Sequence, residues 1–309
     1  MILTVTLNPA LDRLVFVENL KWREKNIAVE TQTFTSGKGF NVAKALGVLA
    51  VETTALGFVG LADLDMYKQR LESRYVHLSL VPIAATRTNI KIIEKDRNQE
   101  TEVNERGATV LPDELERLRH AYLDHVSHAE YVTMSGSIAP GVPKTVYAEL
   151  VQEAAHHNVR TIVDASGESL HAAIEARPFA LRLNHWELQE VMGRELPSVD
   201  ERIAAAKVLL ERGIECVVVS FGAEGALLAH RSGIWYAHVP RLQVVNAIGS
   251  GDVMSAGLVY GWLRGDAPEV VLRWATALAS ASVLTLESGA VDVTIAKELE
   301  SQVVVERVP

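Results

Sequence analysis

With one cysteine in 309 residues, the chain cannot be a disulfide-stapled scaffold; Cys216 lies in the apolar run Cys216-Val217-Val218-Val219 and reads as a small core residue. Positive charge is also scarce. Thirty Lys and Arg against thirty-nine Asp and Glu leave a formal charge of −9, which argues against the basic footprint that general binding to nucleic acid or acidic membranes requires. No run of about eighteen apolar residues is present to span a bilayer. The chain opens on the strand-like Ile2-Leu3-Thr4-Val5-Thr6-Leu7 without a basic leader. A cytoplasmic protein is therefore expected, with neither nucleic acid nor membrane as partner. His156, His157, His171 and His185 lack metal-ligand spacing. Internal repeats, low-complexity tracts and long linkers are missing as well.

What is there is an ordinary globular composition, 48% apolar and 22% charged, in a chain long enough for one large core. Apolar runs at 2–7, 53–58, 130–134, 159–164, 180–183 and 215–220 alternate with amphipathic stretches. Phe40 to Ala50, Pro112 to Val126, Lys144 to His156 and Val199 to Arg212 read as helices, so the rhythm is βαβ and the sheet mostly parallel. Residues 225–229 and 234–238 read as a hairpin edge, and the last third is mainly helical, with a helix from Glu269 to Leu286. Two segments, about 12–34 and 87–105, break the rhythm with extended patterns that lead into no helix. They predict either a small β-sheet standing off the domain, as a cover or a subunit interface, or a plain surface extension.

The segment Asn246-Ala247-Ile248-Gly249-Ser250-Gly251-Asp252 runs into an apolar helical stretch. Unpaired N–H groups at such a helix start, two of them on glycine, form an anion site, and a carboxylate beside it could accept a proton in phosphoryl transfer. A carboxylate that merely caps a helix fits the same residues. Ser36-Gly37-Lys38-Gly39-Phe40-Asn41 is a second glycine turn at a helix start. Gln32 and Gly39 exclude a Walker A loop and Val42 a dinucleotide fingerprint. A site for sugar hydroxyls or phosphate and a structural turn with a solvated lysine both remain open.

These segments, with Asn8-Pro9-Ala10-Leu11-Asp12, Ser135-Gly136-Ser137, Asp164-Ala165-Ser166-Gly167, Asn184-His185-Trp186-Glu187 and Ser220-Phe221-Gly222-Ala223-Glu224-Gly225, occur in the order and spacing of one family. The chain resembles the ribokinase-like (PfkB) carbohydrate kinases from end to end. Thr86-Arg87-Thr88-Asn89-Ile90-Lys91 and Thr101-Glu102-Val103-Asn104 make it most similar to the branch acting on phosphorylated ketohexoses, the 1-phosphofructokinases and tagatose-6-phosphate kinases.

The resemblance implies a single α/β domain over 1–309, a three-layer arrangement of a mostly parallel sheet between helices, with the two extended segments as a β-sheet lid. It implies ATP-dependent phosphorylation of a ketohexose phosphate, D-fructose 1-phosphate first, with tagatose 6-phosphate or fructose 6-phosphate as alternatives and a non-catalytic sugar-phosphate sensor as the reading of another class. Asp252 becomes the base, and Gly249, Ser250 and Gly251 the anion hole. Asp12, Gly37, Lys38, Gly39, Asn41, Asn89, Glu102, Asn104 and Ser137 fall to the sugar, with Arg87 and Lys91 for the substrate's own phosphate. Asn184 falls to the nucleotide phosphates and Glu187 to Mg²⁺, through water. Ser220, Gly222 and Gly225 approach the nucleotide, and Ala279 and Ser282 its adenine side. Asp164, at a strand end, reads as structural. A homodimer through the lid is expected. Arg182-Leu183 before Asn184 and Ala247 before the anion turn depart from the family pattern.

Overall fold

The opening run forms β1 (Ile2–Thr6), with all five residues buried, because a strand paired on both sides and covered on both faces has no solvent side. In the computed structural model, which describes residues 1–96 and 99–308, the chain then leaves the main sheet for β2 (Ala10–Val17) and β3 (Glu30–Ser36). It returns through α1 (Lys38–Val48), β4 (Thr53–Gly60), α2 (Leu64–Leu71) and β5 (Val76–Ile83), then leaves again for β6 (Arg87–Glu94) and β7 (Gln99–Asn104). Alternation follows with α3 (Pro112–Val126), β8 (Tyr131–Ser135), α4 (Val146–His156), β9 (Arg160–Asp164), α5 (Gly167–Glu175), β10 (Ala180–Asn184), α6 (His185–Met192), α7 (Val199–Glu211) and β11 (Cys216–Ser220). The hairpin β12 (Ala226–His230) and β13 (Gly233–His238), then α8 (Ser250–Leu263), α9 (Pro268–Ser282), α10 (Val293–Glu300) and β14 (Val304–Val308) complete the chain. Arg97 and Asn98, inside the predicted 87–105 segment, and Pro309 lie outside the described residues.

The main sheet has the order β14-β13-β12-β11-β10-β9-β8-β1-β4-β5. From β11 to β5 every pairing is parallel, and the last three strands at the β14 edge are antiparallel. Strand order reverses at β1, since β4 and β5 add on one side and β8 onward on the other. At such a switch point the crossovers diverge and leave a crevice beyond the carboxyl ends of the strands. Gly136, Asp164, Asn184 and Ser220 lie at or just past those ends.

The two off-rhythm segments form a separate four-stranded sheet in the order β3-β2-β6-β7. Its central pair, β2 with β6, is parallel, and the outer pairs are antiparallel. Register sets Asp12 opposite Asn89 and Lys91 opposite Glu102. With side chains alternating between faces, Ala10, Asp12, Leu14, Arg87, Asn89, Lys91, Glu102 and Asn104 share the face turned to the crevice.

Local signals explain most boundaries. Pro112 starts α3, where the Glu114 carboxylate accepts the Leu111 N–H at 2.7 Å. The predicted helix from Glu269 to Leu286 stops earlier, at Ser282, and the carbonyl of the next residue, Val283, accepts the N–H groups of Val245 and Asn246. That pairing ties the end of α9 to the segment entering α8. Three elements carry little signal in the sequence: β5, a half-buried strand at the sheet edge, α2, a short helix burying only Tyr67 and Leu71, and the exposed β14.

Candidate active site

Gly249 precedes α8 in the left-handed region, φ 81°. A Cβ there would come within 2.7 Å of the Gly289 nitrogen, so the turn requires glycine. Helix geometry leaves the N–H groups of the first turn without intrahelical acceptors. The Ser250 hydroxyl donates to the Ala247 carbonyl at 2.8 Å, holding the turn through backbone where Ala247 supplies no hydroxyl.

Asp252 sits in that first turn and is only 4% exposed. Its Oδ2 accepts from Asn41 Nδ2 at 2.8 Å. Burial pushes its carboxyl up to about 7, Lys38 opposes that rise, and Asp164 adds to it. A carboxylate so poised exchanges a proton near neutral pH, as a general base must. Asn41, assigned from sequence to the sugar, here orients this carboxylate.

Beside Asp252 lies an ionic triad centred on the buried Asp164. Asp164 Oδ1 receives Lys38 Nζ at 2.6 Å, and Oδ2 receives Arg182 Nη1 at 3.1 Å. Burial alone would raise the Asp164 pKa, yet Lys38 and Arg182 hold it below the ordinary value. Burial likewise works against the charge on Lys38, and Asp164, Asp252 and Glu187 outweigh it to raise its pKa. Asp164, read from sequence as structural, thus anchors two cations, Lys38 on the first cavity described below and Arg182 on both. Arg182 also donates to Ser220 Oγ at 2.8 Å and leaves its buried Nε unpaired. Its guanidinium lies against Gly251 so closely that a Cβ there would overlap it. Leucine at 183 keeps its N–H, and β10 stays paired with β11 through Asn184, so the Arg182-Leu183 departure leaves the strand end intact.

A cavity of about 650 Å³ separates the lid from the carboxyl ends of the main sheet. On its lid wall Asp12 accepts from Asn89 Nδ2 at 3.0 Å and from Ser288 Oγ at 3.1 Å. Arg87 donates once, to the Glu105 carbonyl at 3.2 Å, and its Nε is unpaired; burial lowers its pKa and Asp12 opposes the drop. Lys91 is 4% exposed. Glu102 and Asn104 border the opening from β7, and Gly37 and Lys38 close the floor. Two residues assigned to the sugar line no part of this cavity. Gly39 packs against β1, where a Cβ would strike the Val5 carbonyl, and exposed Ser137 accepts from Asn8 Nδ2 at 3.1 Å.

A second cavity, about 460 Å³, lies on the other side of the Gly249-Ser250-Gly251 turn. Gly222, Gly225 and Ala279 line it, with Met254, Thr276 and Ser280, which sequence reasoning missed. Ser282 does not, since its hydroxyl turns back to the Ala279 carbonyl at 2.8 Å. Both cavities share a wall of Arg182, Ser220, Gly222, Ser250 and Gly251. Asn184 lines the first cavity and also caps α6, its Oδ1 accepting the Glu187 N–H at 2.9 Å while Glu187 Oε2 accepts the Asn184 N–H at 2.8 Å. Glu187 is buried behind it; burial and Asp164 raise its pKa. Arg182, Asn246, Ser288 and the exposed Trp186 were also missed as lining residues. The one available signal was a lone cation, Arg182, inside an apolar strand.

Two cavities meeting at a helix start, with a buried carboxylate and two anchored cations at the junction, define a phosphotransferase architecture. Comparisons with known proteins agree. The profile of the pfkB family carbohydrate kinases matches residues 6–294. The chain is 37% identical to the 1-phosphofructokinase of Escherichia coli strain K12 over 290 residues, 94% of this chain and 93% of that one. It is 32% identical to the Bacillus subtilis strain 168 1-phosphofructokinase, over 94% of each. The crystal structure of Escherichia coli phosphofructokinase-2 in complex with fructose-6-phosphate superposes with a TM-score of 0.89 at 27% identity, covering 97% of this chain and 98% of that one. The chain belongs to the pfkB family of carbohydrate kinases and is a sugar-phosphate kinase, transferring a phosphoryl group to an alcohol.

Proposed function

We propose that this enzyme uses ATP to phosphorylate a ketohexose phosphate, with D-fructose 1-phosphate converted to D-fructose 1,6-bisphosphate. The observation that carries the reading is the shared wall of the two cavities, with Asp252 beside it. The lid cavity takes the sugar phosphate, and the second cavity takes the nucleotide, with Ala279 and Gly225 on the base side. Asp252 removes the proton from the acceptor hydroxyl as that oxygen bonds to the γ-phosphorus, and ADP leaves. The N–H groups of Gly249 and Gly251, with Lys38 and Arg182, stabilise the charge on the transferred group, the Ser250 N–H being turned to the Ala247 carbonyl at 3.3 Å. Arg87, with donors to spare, binds the substrate's own phosphate. The lowered lid keeps water from competing with the sugar hydroxyl.

Glu187 fits a role toward Mg²⁺. Its Oε1 carries no hydrogen bond in the capping pair, and a cation nearby would favour the ionised form that burial disfavours. No cluster of three or more His, Cys, Asp or Glu is gathered for a metal among the described residues, and Mg²⁺ bound to nucleotide phosphates needs only one or two carboxylates. When bound it supplies charge neutralisation on the phosphates. Glu187, set behind Asn184, would hold it through water.

Trp22, Ile27, Val29 and Val103 are exposed on the lid segments, and a homodimer through the lids covers them. Sedimentation should show a dimer that Trp22→Asp weakens; an unchanged monomer at all concentrations overturns that assembly. Phosphorylated substrates are retained inside cells, so the reading places the enzyme in the cytoplasm.

ATP consumption measured with fructose 1-phosphate, fructose 6-phosphate, tagatose 6-phosphate and unphosphorylated fructose tests the function. Fructose 1-phosphate is expected to give the highest kcat/KM. The fructose-6-phosphate complex of phosphofructokinase-2 makes a 6-phosphate acceptor the second reading. Silence with every sugar would leave a sugar-phosphate sensor. Arg87→Ala should raise KM for the sugar phosphate about 10- to 100-fold, the value of losing charge-assisted hydrogen bonds, with KM for ATP little changed. Equal effects on both substrates would remove Arg87 from the phosphate.

A further inference from the structure

Lys91 does more than line the sugar cavity. Its ammonium, carried on lid strand β6, lies 3.0 Å from Asn246 Oδ1 and 2.6 Å from the Glu100 carboxylate of β7. Glu100 travels with the lid; Asn246 belongs to the body. The same Asn246 Oδ1 accepts the Ile248 N–H at 3.1 Å, its Nδ2 donates to the Leu286 carbonyl at 2.8 Å, and its own N–H donates to the Val283 carbonyl at 3.1 Å. Asn246 is 5% exposed, and one residue beyond Ile248 the backbone enters the left-handed turn at Gly249. A lid cation therefore ends on the side chain that shapes the approach to the anion turn.

A buried ammonium needs acceptors. Under a lowered lid Lys91 has one from each side. With the lid raised it keeps only Glu100, and the Asn246 side chain loses the contact that pins it from above. We propose that Lys91 and Asn246 form a latch through which lid closure sets the anion hole, so that the hole is complete only when the sugar cavity is covered. Lys91 is then a positioning residue acting through Asn246. This rests on the kinase reading for its purpose, but its geometry does not.

The test uses Lys91→Met, which keeps an unbranched stem and removes the charge. Hydrogen exchange on the unliganded full-length protein should show the Ile248 to Gly251 amides exchanging about tenfold faster than in the wild type, the factor expected for one charge-assisted hydrogen bond. A matched thermal unfolding midpoint shows that the fold is kept. With the preferred sugar phosphate, kcat should fall about tenfold while KM for that sugar changes less than about threefold, the pattern of a contact that acts on transfer rather than on binding. The double variant Lys91→Met/Asn246→Ala should lose no more than Asn246→Ala alone. Unchanged amide exchange, multiplying losses in the double variant, or a raised KM at constant kcat would each overturn the latch. Since exchange is read without substrate, a wild type silent toward every sugar would sink the kinase reading and leave the latch standing or falling on its own result.

Discussion

Asp252→Asn is expected to lower kcat by about 10²–10⁴-fold, the usual range for losing a positioned general base, while ATP still binds. Asparagine preserves the shape and can still accept from Asn41 Nδ2, so the loss isolates the proton-accepting charge. In the wild type, kcat/KM should rise with pH along an acidic limb near 7, because the base works only when ionised and burial has pushed its carboxyl up to about 7. The same shift has a stability consequence of definite sign. A carboxyl raised from its ordinary 3.8 favours the fold fully below that value, and the contribution is lost as pH rises through about 7. Above about pH 7 the wild type carries a desolvated charge that the asparagine variant lacks, so the variant should melt higher at about pH 8 and nearly level at about pH 4. Turnover within about tenfold of wild type would sink the base assignment, and a variant less stable than wild type on the alkaline side would sink the burial argument.

Separation along the chain decides which parts of the site were legible in sequence. Features set by neighbours along the chain could be read directly. Pro112 marked the start of α3, the extended pattern in 87–105 allowed a small separate sheet as well as a surface extension and forms the former, and Gly249 to Asp252 marked a glycine turn at a helix start. Features set by contact across the fold could not. The Asn41 to Asp252 bond spans 211 positions and the Lys91 to Asn246 bond 155, and no local pattern encodes either. Helical phase decided which residues of α9 line the second cavity, since Ala279 and Ser280 face it while Ser282 turns to its own backbone. Gly39 illustrates a different ambiguity: a glycine in a phosphate-like turn was needed for helix packing on β1.

Gly251→Ala should be the second most damaging change, though helix propensity predicts the reverse. Near a helix start, alanine gains up to about 1 kcal/mol over glycine in an unobstructed position. Here the added methyl would overlap the Arg182 guanidinium. Arg182 has little room to yield, being tied to Asp164 at 3.1 Å and Ser220 at 2.8 Å and only 7% exposed. Overpacking of that kind costs about 1–3 kcal/mol, which outweighs the propensity gain, so the melting temperature should fall. The larger effect is kinetic. Moving the guanidinium displaces a cation from the wall shared by the two cavities and narrows the approach of a phosphoryl group to the N–H groups of the turn. Losing one preorganised donor of this type lowers kcat by about 10²–10³-fold. The second substitution Arg182→Lys removes the planar group that the methyl strikes while keeping a positive charge, so Gly251→Ala/Arg182→Lys should melt higher than Gly251→Ala alone and recover part of its kcat. If Gly251→Ala turns over within about threefold of wild type, or if Arg182→Lys merely adds its own loss, the contact between Arg182 and the anion turn has no part in transfer.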